Sequence, residues 1–314
     1  MVLNGKGDHY GVSKKTQELV LKAVEQWGYT PNRFAKSLRT GKSHFAGLII
    51  SDISNPFYST IARHVEALLF EKGYNLMVCC AEEDEDRERL MVETLLQQQA
   101  VDGLIVATAQ RDVGFYDSGL VSRLPVVFID RVVPGGAGHH VLTDNEGGAE
   151  QIVSHLLEEG NKQIVCMAIT PLYLSTITHR INGYKKALKK AGYAKREEVV
   201  ITIHYENIQA EIEQYLQGCL QRKIKPDAVF CLNNNIALNL LLCLRKKKFC
   251  RLSGIRVACF DDLEVFDLID KKVTAVSQPV EEIGKQAATL LLKLIAGKGG
   301  EAGHTVLPTR LVRR

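Results

Sequence analysis

The 314-residue sequence predicts an α/β protein in which two doubly wound, parallel-sheet lobes follow a short basic helical segment. Three observations predict it. Short apolar runs such as FAGLIIS, LMVCC and PVVFID alternate with amphipathic helical patterns, as strands of a parallel sheet covered on both faces do. The alternation starts again after Asp144, so two such halves are present. The charge is also divided: residues 1–44 hold eight Lys and Arg against three acids, a net of +5, whereas the other 32 basic and 33 acidic residues leave −1. A cationic arm on a near-neutral body points to a polyanionic partner at that end.

The elements follow in order. Val2 to Tyr10 is turn-like. Ser13 caps a helix on which Leu19, Val20, Ala23, Val24 and Trp27 share a face, and Gly28 ends it. Pro31 suits the first turn of a short helix over Asn32–Leu38, too short to be stable alone in water. Arg33, Lys36, Arg39 and Lys42 surround Leu38. That pattern reads either as a minor-groove wedge with its phosphate-neutralising cations, or as a basic linker whose leucine packs back on the body. Beyond Phe45 come a buried strand, a helix from Pro56 through Lys72, a strand at Tyr74–Cys80 and a helix at about Asp84–Gln99. The acidic run Glu82–Asp86 reads as the solvated start of that helix, where carboxylates favour the dipole. A strand at Asp102–Thr108, a weak helix around Arg111–Arg123 and a strand at Pro125–Asp130 complete the half.

The second half opens with a helix over Asp144–Gly160. Strands are expected at Gln163–Ile169, Val199–His204, Ala228–Leu232 and Val257–Asp261, and helices at about Ser175–Ala191, Gln209–Gln221 and Ile236–Lys247. Arg245–Lys248 closes the last of these, where cations complement the helix dipole. Thr274–Pro279 leads into an amphipathic helix over Val280–Ala296, and His304–Val312 reads as one last strand.

The composition, 46% hydrophobic and 24% charged, is that of a soluble globular chain. No run nears the roughly 20 apolar residues of a membrane span, and the N-terminus carries no apolar signal core, so a cytoplasmic protein without a membrane partner is expected. The eight Cys sit mostly in strand-like runs without CxxC spacing, which reads as buried, reduced thiols. His139 and His140 read as surface or loop residues without a matching metal set. No GxSxG elbow, HExxH pair or GxxxxGK[ST] loop occurs. NGKGDHYG has the wrong spacing for a phosphate loop, and PGGAG at 134–138 reads as a loop. A non-enzyme without cofactor or metal is therefore expected.

In open α/β sheets ligands bind beyond the carboxyl ends of the strands. Those ends carry Asp52, Asn55, Phe57 and Tyr58 after the first strand, Asp130 and Arg131 after PVVFI, Asn233, Asn234 and Asn235 after VFCL, and Asp261 and Asp262 after VACF. Carboxylates, amides, an arginine and aromatic faces around one cleft suit a polyhydroxylated small molecule, neutral or anionic. Asp52 and Asn55 read equally as turn and cap residues, Arg131 equally as a surface cation, and Arg180 as a helix-face residue paired with a carboxylate.

PNRFAKSLRTGKS followed by an apolar strand and SDISNPFY resembles the hinge and first core strand of the lac-repressor family of bacterial transcription regulators. The likeness continues in DGLIV, PVVFIDR, TDNEGGAEQIVSHLLEEGNKQI, HRINGYKKAL, CFDDLE and VSQPVEEIGKQAATLLLKLIAG. It implies two lobes of the type I periplasmic-binding-protein kind over 44–314, one formed by about 44–143 plus 279–298 and the other by about 144–276 plus 300–314, with three crossovers between them. Residues 1–43 would be headpiece and hinge. VLNGK is similar to the tail of the family's recognition helix, so that roughly 20 headpiece residues ahead of it have no counterpart here. The resemblance implies operator-DNA contacts from Asn32, Arg33, Ala35, Lys36, Leu38 and Arg39. It implies effector contacts above all from Arg180 and Asp261, with Tyr205 near the family's stacking aromatic. Where the family often has Asn-Asp, this chain has Asn233-Asn234. The function implied is that of a repressor of a sugar-utilisation operon, working as a homodimer rather than a tetramer on double-stranded operator DNA. Its effector would be a small sugar, sugar acid or sugar phosphate. The alternative is a cytosolic sugar-binding module without sequence-specific DNA binding.

Overall fold

A computed structural model of the chain describes residues 2, 6–27, 41–135, 138–194 and 197–314. Ahead of the body stands helix α1 (Lys14–Gln26), capped by the Ser13 hydroxyl, which accepts from the Thr16 amide. None of its residues is buried, and Trp27 is 81% exposed. The hinge residues Asn32, Arg33, Ala35, Lys36, Leu38 and Arg39 lie outside the described residues.

The first lobe begins with β1 (Phe45–Ile50), α2 (Pro56–Glu71), β2 (Asn75–Cys80) and α3 (Glu85–Gln97). It continues with β3 (Leu104–Val106), β4 (Val126–Ile129) and β5 (His139–Thr143). The second lobe holds α4 (Asn145–Glu158), β6 (Ile164–Ile169), α5 (Ser175–Lys190), β7 (Val199–Ile203) and α6 (Ile208–Arg222). After these come β8 (Ala228–Cys231), α7 (Asn234–Leu244), β9 (Arg256–Phe260) and β10 (Val273–Ser277). The chain closes with α8 (Val280–Ile295), β11 (His304–Leu307) and β12 (Arg310–Val312).

Two six-stranded sheets result, ordered β11-β5-β4-β3-β1-β2 and β12-β10-β9-β8-β6-β7. The pairings are parallel except β10–β12. Burial explains the composition of the strands. Five residues of β1 and all six of β6 are buried, because helices cover both faces and leave no solvated side to alternate with. The first lobe has a buried cluster on each face of its sheet, one of them completed by Ile283, Ala287, Ala288 and Leu291 of α8. The helix starts are encoded locally in the sequence. Asn55, Asp84, Asp144 and Asn233 each cap a helix by accepting from a backbone N–H two or three residues on, and Pro56 opens α2.

The chain crosses between lobes at 143–145, at 277–280 and at 307–310. The last crossing corrects an expectation. His304–Val312 is not one strand of the second lobe: its first part pairs with β5 in the first lobe and its second part with β10 in the second. Pro308 stands between them, lacking the N–H that a continuous ladder would need. Three further expectations are corrected. Residues 111–123 form turns ending in a single 3-10 turn at Val121–Arg123, because the Asp112 carboxylate takes the Gly114 amide and offers the backbone a turn instead of a helix. His140 is a fully buried strand residue stacked on Phe128 at 5.1 Å, not a surface histidine. Cys250 is exposed, whereas Cys166, Cys219, Cys231, Cys243 and Cys259 are buried thiols. Among the described residues no helix is long and apolar enough to cross a membrane, and no group of three or more His, Cys, Asp or Glu is placed to hold a metal.

Candidate ligand cleft between the lobes

The carboxyl ends of both sheets face one another across a small cavity of about 60 Å³. Most of the candidate effector residues line it: Asp52, Asn55, Phe57, Tyr58, Arg131, Arg180, Tyr205, Asn233 and Asp261. Ser51, Glu83, Asp130, Thr176, Asn235 and Gln278 join them. Other cavities are roomier: two grooves along α6, at about 750 and 780 Å³, are lined by no buried polar residue, and another of about 580 Å³ adjoins the cleft, sharing Phe57, Asp261 and Gln278 with it. The cleft has seven buried polar residues: Ser51, Asp130, Arg131, Thr176, Arg180, Asp261 and Gln278. Buried polar groups are expensive unless partnered, so a concentration of them marks where the fold has been committed to chemistry.

Arg131 is the hub of the first-lobe wall. Its guanidinium meets Glu83 in a two-pronged ion pair, 2.6 Å at each prong, and donates to the Thr108 carbonyl at 3.0 Å and the Tyr58 hydroxyl at 3.1 Å. Tyr58 in turn donates to Asp130 at 3.0 Å. Burial alone would lower the pKa of Arg131, but the fields of Glu83, Tyr58 and Asp130 outweigh it and hold the group charged. Asp130 is raised above the ordinary aspartate value by burial, against the pull of Arg131 and Arg180. Its Oδ1 is buried without a hydrogen-bond partner, as are Nε of Arg131 and Oδ1 of Asn234.

Across the cleft, Arg180 projects from α5, donating from Nε to Asn145 at 2.7 Å and from Nη1 to the Leu232 carbonyl at 2.7 Å. Its guanidinium lies 3.8 Å from the centre of the Phe260 ring. Asp261 is raised by burial against the stabilising pull of Arg180 and Gln278. Gln278 donates to Asp261 at 2.6 Å and accepts from Thr143 at 2.6 Å. Thr143 and Gln278 sit on two crossover segments, so the cleft floor is tied directly to the interlobe strands.

The lobes touch over the cleft. Asn234 donates to Asn55 at 2.8 Å, Tyr205 to Asp52 at 3.4 Å, Tyr173 to the Ala109 carbonyl at 2.8 Å, and the Val132 amide to Ser175 at 2.8 Å. Asn234 is thus spent on this interlobe bond and does not line the cavity. Asp262 does not line this cavity either: it pairs with Arg314 at 2.8 Å on the wall of the adjoining one. Glu83 is the opposite case. The run Glu82–Asp86 does start a helix, yet Glu83 turns inward with its side chain only 14% exposed. Only its closeness to a strand end could have singled it out. The cations at the end of α7 are likewise accounted for, since Lys246 and Lys248 both pair with Glu213 of α6.

A pair of doubly wound lobes hinged by three crossings and closing over a polar cleft defines the two-lobed receptor class of the type I periplasmic-binding-protein kind. The chain belongs to that family, matching the periplasmic binding protein-like domain over residues 153–314, and within it to the lac-repressor group of transcription regulators. It is 29% identical to the sucrose operon repressor of Klebsiella pneumoniae over 99% of this chain and 92% of that one. It is 28% identical to the ribose operon repressor of Escherichia coli K12, over 90% of this chain and 85% of the relative. The crystal structure of a LacI family transcriptional regulator from Enterococcus faecium with bound ribose superposes with a TM-score of 0.74 at 25% identity, covering 86% of this chain and 97% of that one.

Proposed function

We propose that the protein is a sugar-responsive DNA-binding regulator, acting as a cytoplasmic homodimer that represses a sugar-utilisation operon. The observation that carries the reading is the cleft. Buried carboxylates and guanidiniums from both lobes converge on a cavity walled by Phe57, Tyr58 and Tyr205, as a ligand with many hydroxyls and one apolar ring face requires. The unpartnered Oδ1 of Asp130 is an acceptor for such a hydroxyl. Asp52, Asn55, Phe57, Tyr58, Arg131, Arg180, Tyr205, Asn233 and Asp261 are the proposed effector contacts.

Transmission to DNA would run through the neck. Ser43 donates to Asp102 from its amide at 2.7 Å and its hydroxyl at 2.8 Å, and the His44 amide reaches the other carboxylate oxygen at 3.1 Å. The segment entering β1 is therefore clamped to the first lobe, and lobe rotation on effector binding would move the two hinges of a dimer relative to each other. The coupling is a free energy between two sites, with no chemical step. Asn32, Arg33, Ala35, Lys36, Leu38 and Arg39 are the proposed DNA contacts.

The test pairs calorimetric titration of a sugar panel with a gel shift on a palindromic operator fragment at several salt concentrations. A sugar that binds the protein and changes its operator affinity supports the reading. A protein that binds a sugar but has no DNA preference at any salt is a sugar-binding module only.

A further inference from the structure

The cleft reading leaves open whether the effector is neutral or anionic, and the charges around it speak to this. Four carboxyl groups line the cavity, from Asp52, Glu83, Asp130 and Asp261, against two guanidiniums, Arg131 and Arg180. Even with both deeply buried aspartic acids protonated, the lining carries no net positive charge. The Arg131 guanidinium is not free to grip an anion. Four of the five N–H groups of Arg131 go to Glu83, Thr108 and Tyr58, and its Nε lies 3.5 Å from Asp130. Arg180 is positioned by Asn145, Leu232 and the face of Phe260, and its charge is balanced by Asp261.

The two-pronged geometry between Arg131 and Glu83 is the one a guanidinium uses for a carboxylate or phosphate ligand. Here a residue of the chain itself makes it. The backbone goes out of its way to do so: Glu82 and Glu83 are consecutive residues with φ of 54° and 61°, a left-handed conformation that glutamate rarely adopts. Glu82 points out to Arg87 at the surface, and Glu83 points into the cleft.

We propose that Glu83 is an internal counter-ion that occupies the anion-gripping face of Arg131 and so makes the cleft select uncharged polyols over their phosphorylated or carboxylated counterparts. The inference rests on the cleft being the effector site. A sugar phosphate or sugar acid entering there finds the Arg131 cation already neutralised and the Glu83 carboxylate beside it, so the cost of desolvating its own charge is not offset.

The experiment is calorimetric titration of the full chain with matched pairs: D-ribose and D-ribose 5-phosphate, D-glucose and D-glucose 6-phosphate, D-glucose and D-gluconate. The wild type binds the neutral member of whichever pair it accepts and prefers it over the anionic member by at least about tenfold, the scale of one unit-charge repulsion in a partly screened site. Glu83→Gln narrows that preference by about tenfold by gaining affinity for the anionic member, while Glu82→Gln, the same charge change at the exposed neighbour, leaves it as in the wild type. Wild-type binding of an anionic member as tightly as its neutral partner overturns the proposal, whether or not the Glu83 variant folds. So does a folded Glu83→Gln protein whose preference is unchanged. If no member of any pair binds wild type or variant, the cleft reading itself fails and takes this inference with it; binding of a neutral sugar with unaltered discrimination defeats the inference alone.

Discussion

Closure of the lobes should be separable from contact with the effector, and Tyr173 offers the cleanest perturbation. Its hydroxyl, from the second lobe, donates to the Ala109 carbonyl of the first at 2.8 Å and lies 3.3 Å from Glu85. Burial, with Glu85 nearby, pushes its pKa up to about 12, so it remains a donor throughout the working pH range. It does not line the cleft cavity. Tyr173→Phe removes that bond and keeps the ring beneath the Arg111 guanidinium, which lies 4.3 Å from its centre. A neutral hydrogen bond contributes about 1 kcal/mol net, or roughly a fivefold shift toward the open form. An effector that binds only the closed form must then show a Kd higher by up to about fivefold, although no atom it touches has changed. Ser175→Ala works at a second latch by leaving the Val132 amide without its 2.8 Å acceptor, and predicts a rise of similar size. Titration calorimetry reads the Kd, and small-angle X-ray scattering of the free protein reads the accompanying increase in radius of gyration. If both variants, folded and melting like wild type, bind the effector with unchanged Kd, these contacts do not gate closure.

Other outcomes follow from the same geometry. Arg180→Met strands the Asn145 amide oxygen and the Leu232 carbonyl and removes the stack on Phe260. Effector binding is lost and urea unfolding shows a cost of about 3 kcal/mol. Gly183→Ala on α5 would place its Cβ 2.3 Å from the Glu146 carbonyl oxygen and 2.9 Å from the Glu150 amide nitrogen, both backbone atoms of α4. The helices must separate, at about 1–3 kcal/mol or more, measured as a fall in Tm. The pH dependence has an unusual sign at Asp130 and Asp261, both raised by burial. Between their unfolded and folded pKa values the native state binds more protons, so their contribution to stability falls as pH rises through the folded values. Urea unfolding of wild type and Asp261→Asn from pH 4 to 7 checks this: the variant removes part of that decline, and a steeper decline in the variant refutes the assignment.

The elements that sequence reading placed correctly are those whose cause is local. An apolar run long enough for one buried strand, followed by a polar residue and a helix cap, locates a carboxyl end in a parallel sheet. That is how Asp52, Asn55, Arg131 and Asp261 could be gathered before any geometry was known. Errors arose where the deciding partner is distant in sequence. Glu83 looks like any carboxylate at a helix start until Arg131, 48 residues on, turns it inward. Asp262 looks like a twin of Asp261 until Arg314, 52 residues away, claims it. Gln278 is an ordinary residue at a strand exit until Thr143, 135 residues earlier, and Asp261 hold it across the hinge. The division of residues 304–312 between two sheets is likewise set by partners in both lobes, with only Pro308 as a local sign.

The two lobes build the cleft with the same corner and finish it differently. Asp130 leaves β4 with φ of 65° and donates its amide to the Val141 carbonyl on β5 at 3.1 Å; Asp261 leaves β9 with φ of 85° and donates to Val276 on β10 at 3.0 Å. The register agrees as well, Ile129 facing Val141 and Phe260 facing Val276. A left-handed aspartate at each corner carries a local conformational cost of order 1–3 kcal/mol, and both place a buried carboxyl at the cleft. The next residue then departs: Arg131 stays inside with Glu83, whereas Asp262 goes out to Arg314. Charge in the first lobe is thus neutralised within the cavity wall. In the second lobe Asp261 is held by Gln278, which leads through Thr143 into the crossover strands. A ligand hydroxyl competing for Asp261 would therefore disturb a hinge bond, whereas one competing for Asp130 would meet a carboxyl hydrogen-bonded within the first lobe. The second-lobe corner is the one bonded to the interlobe strands.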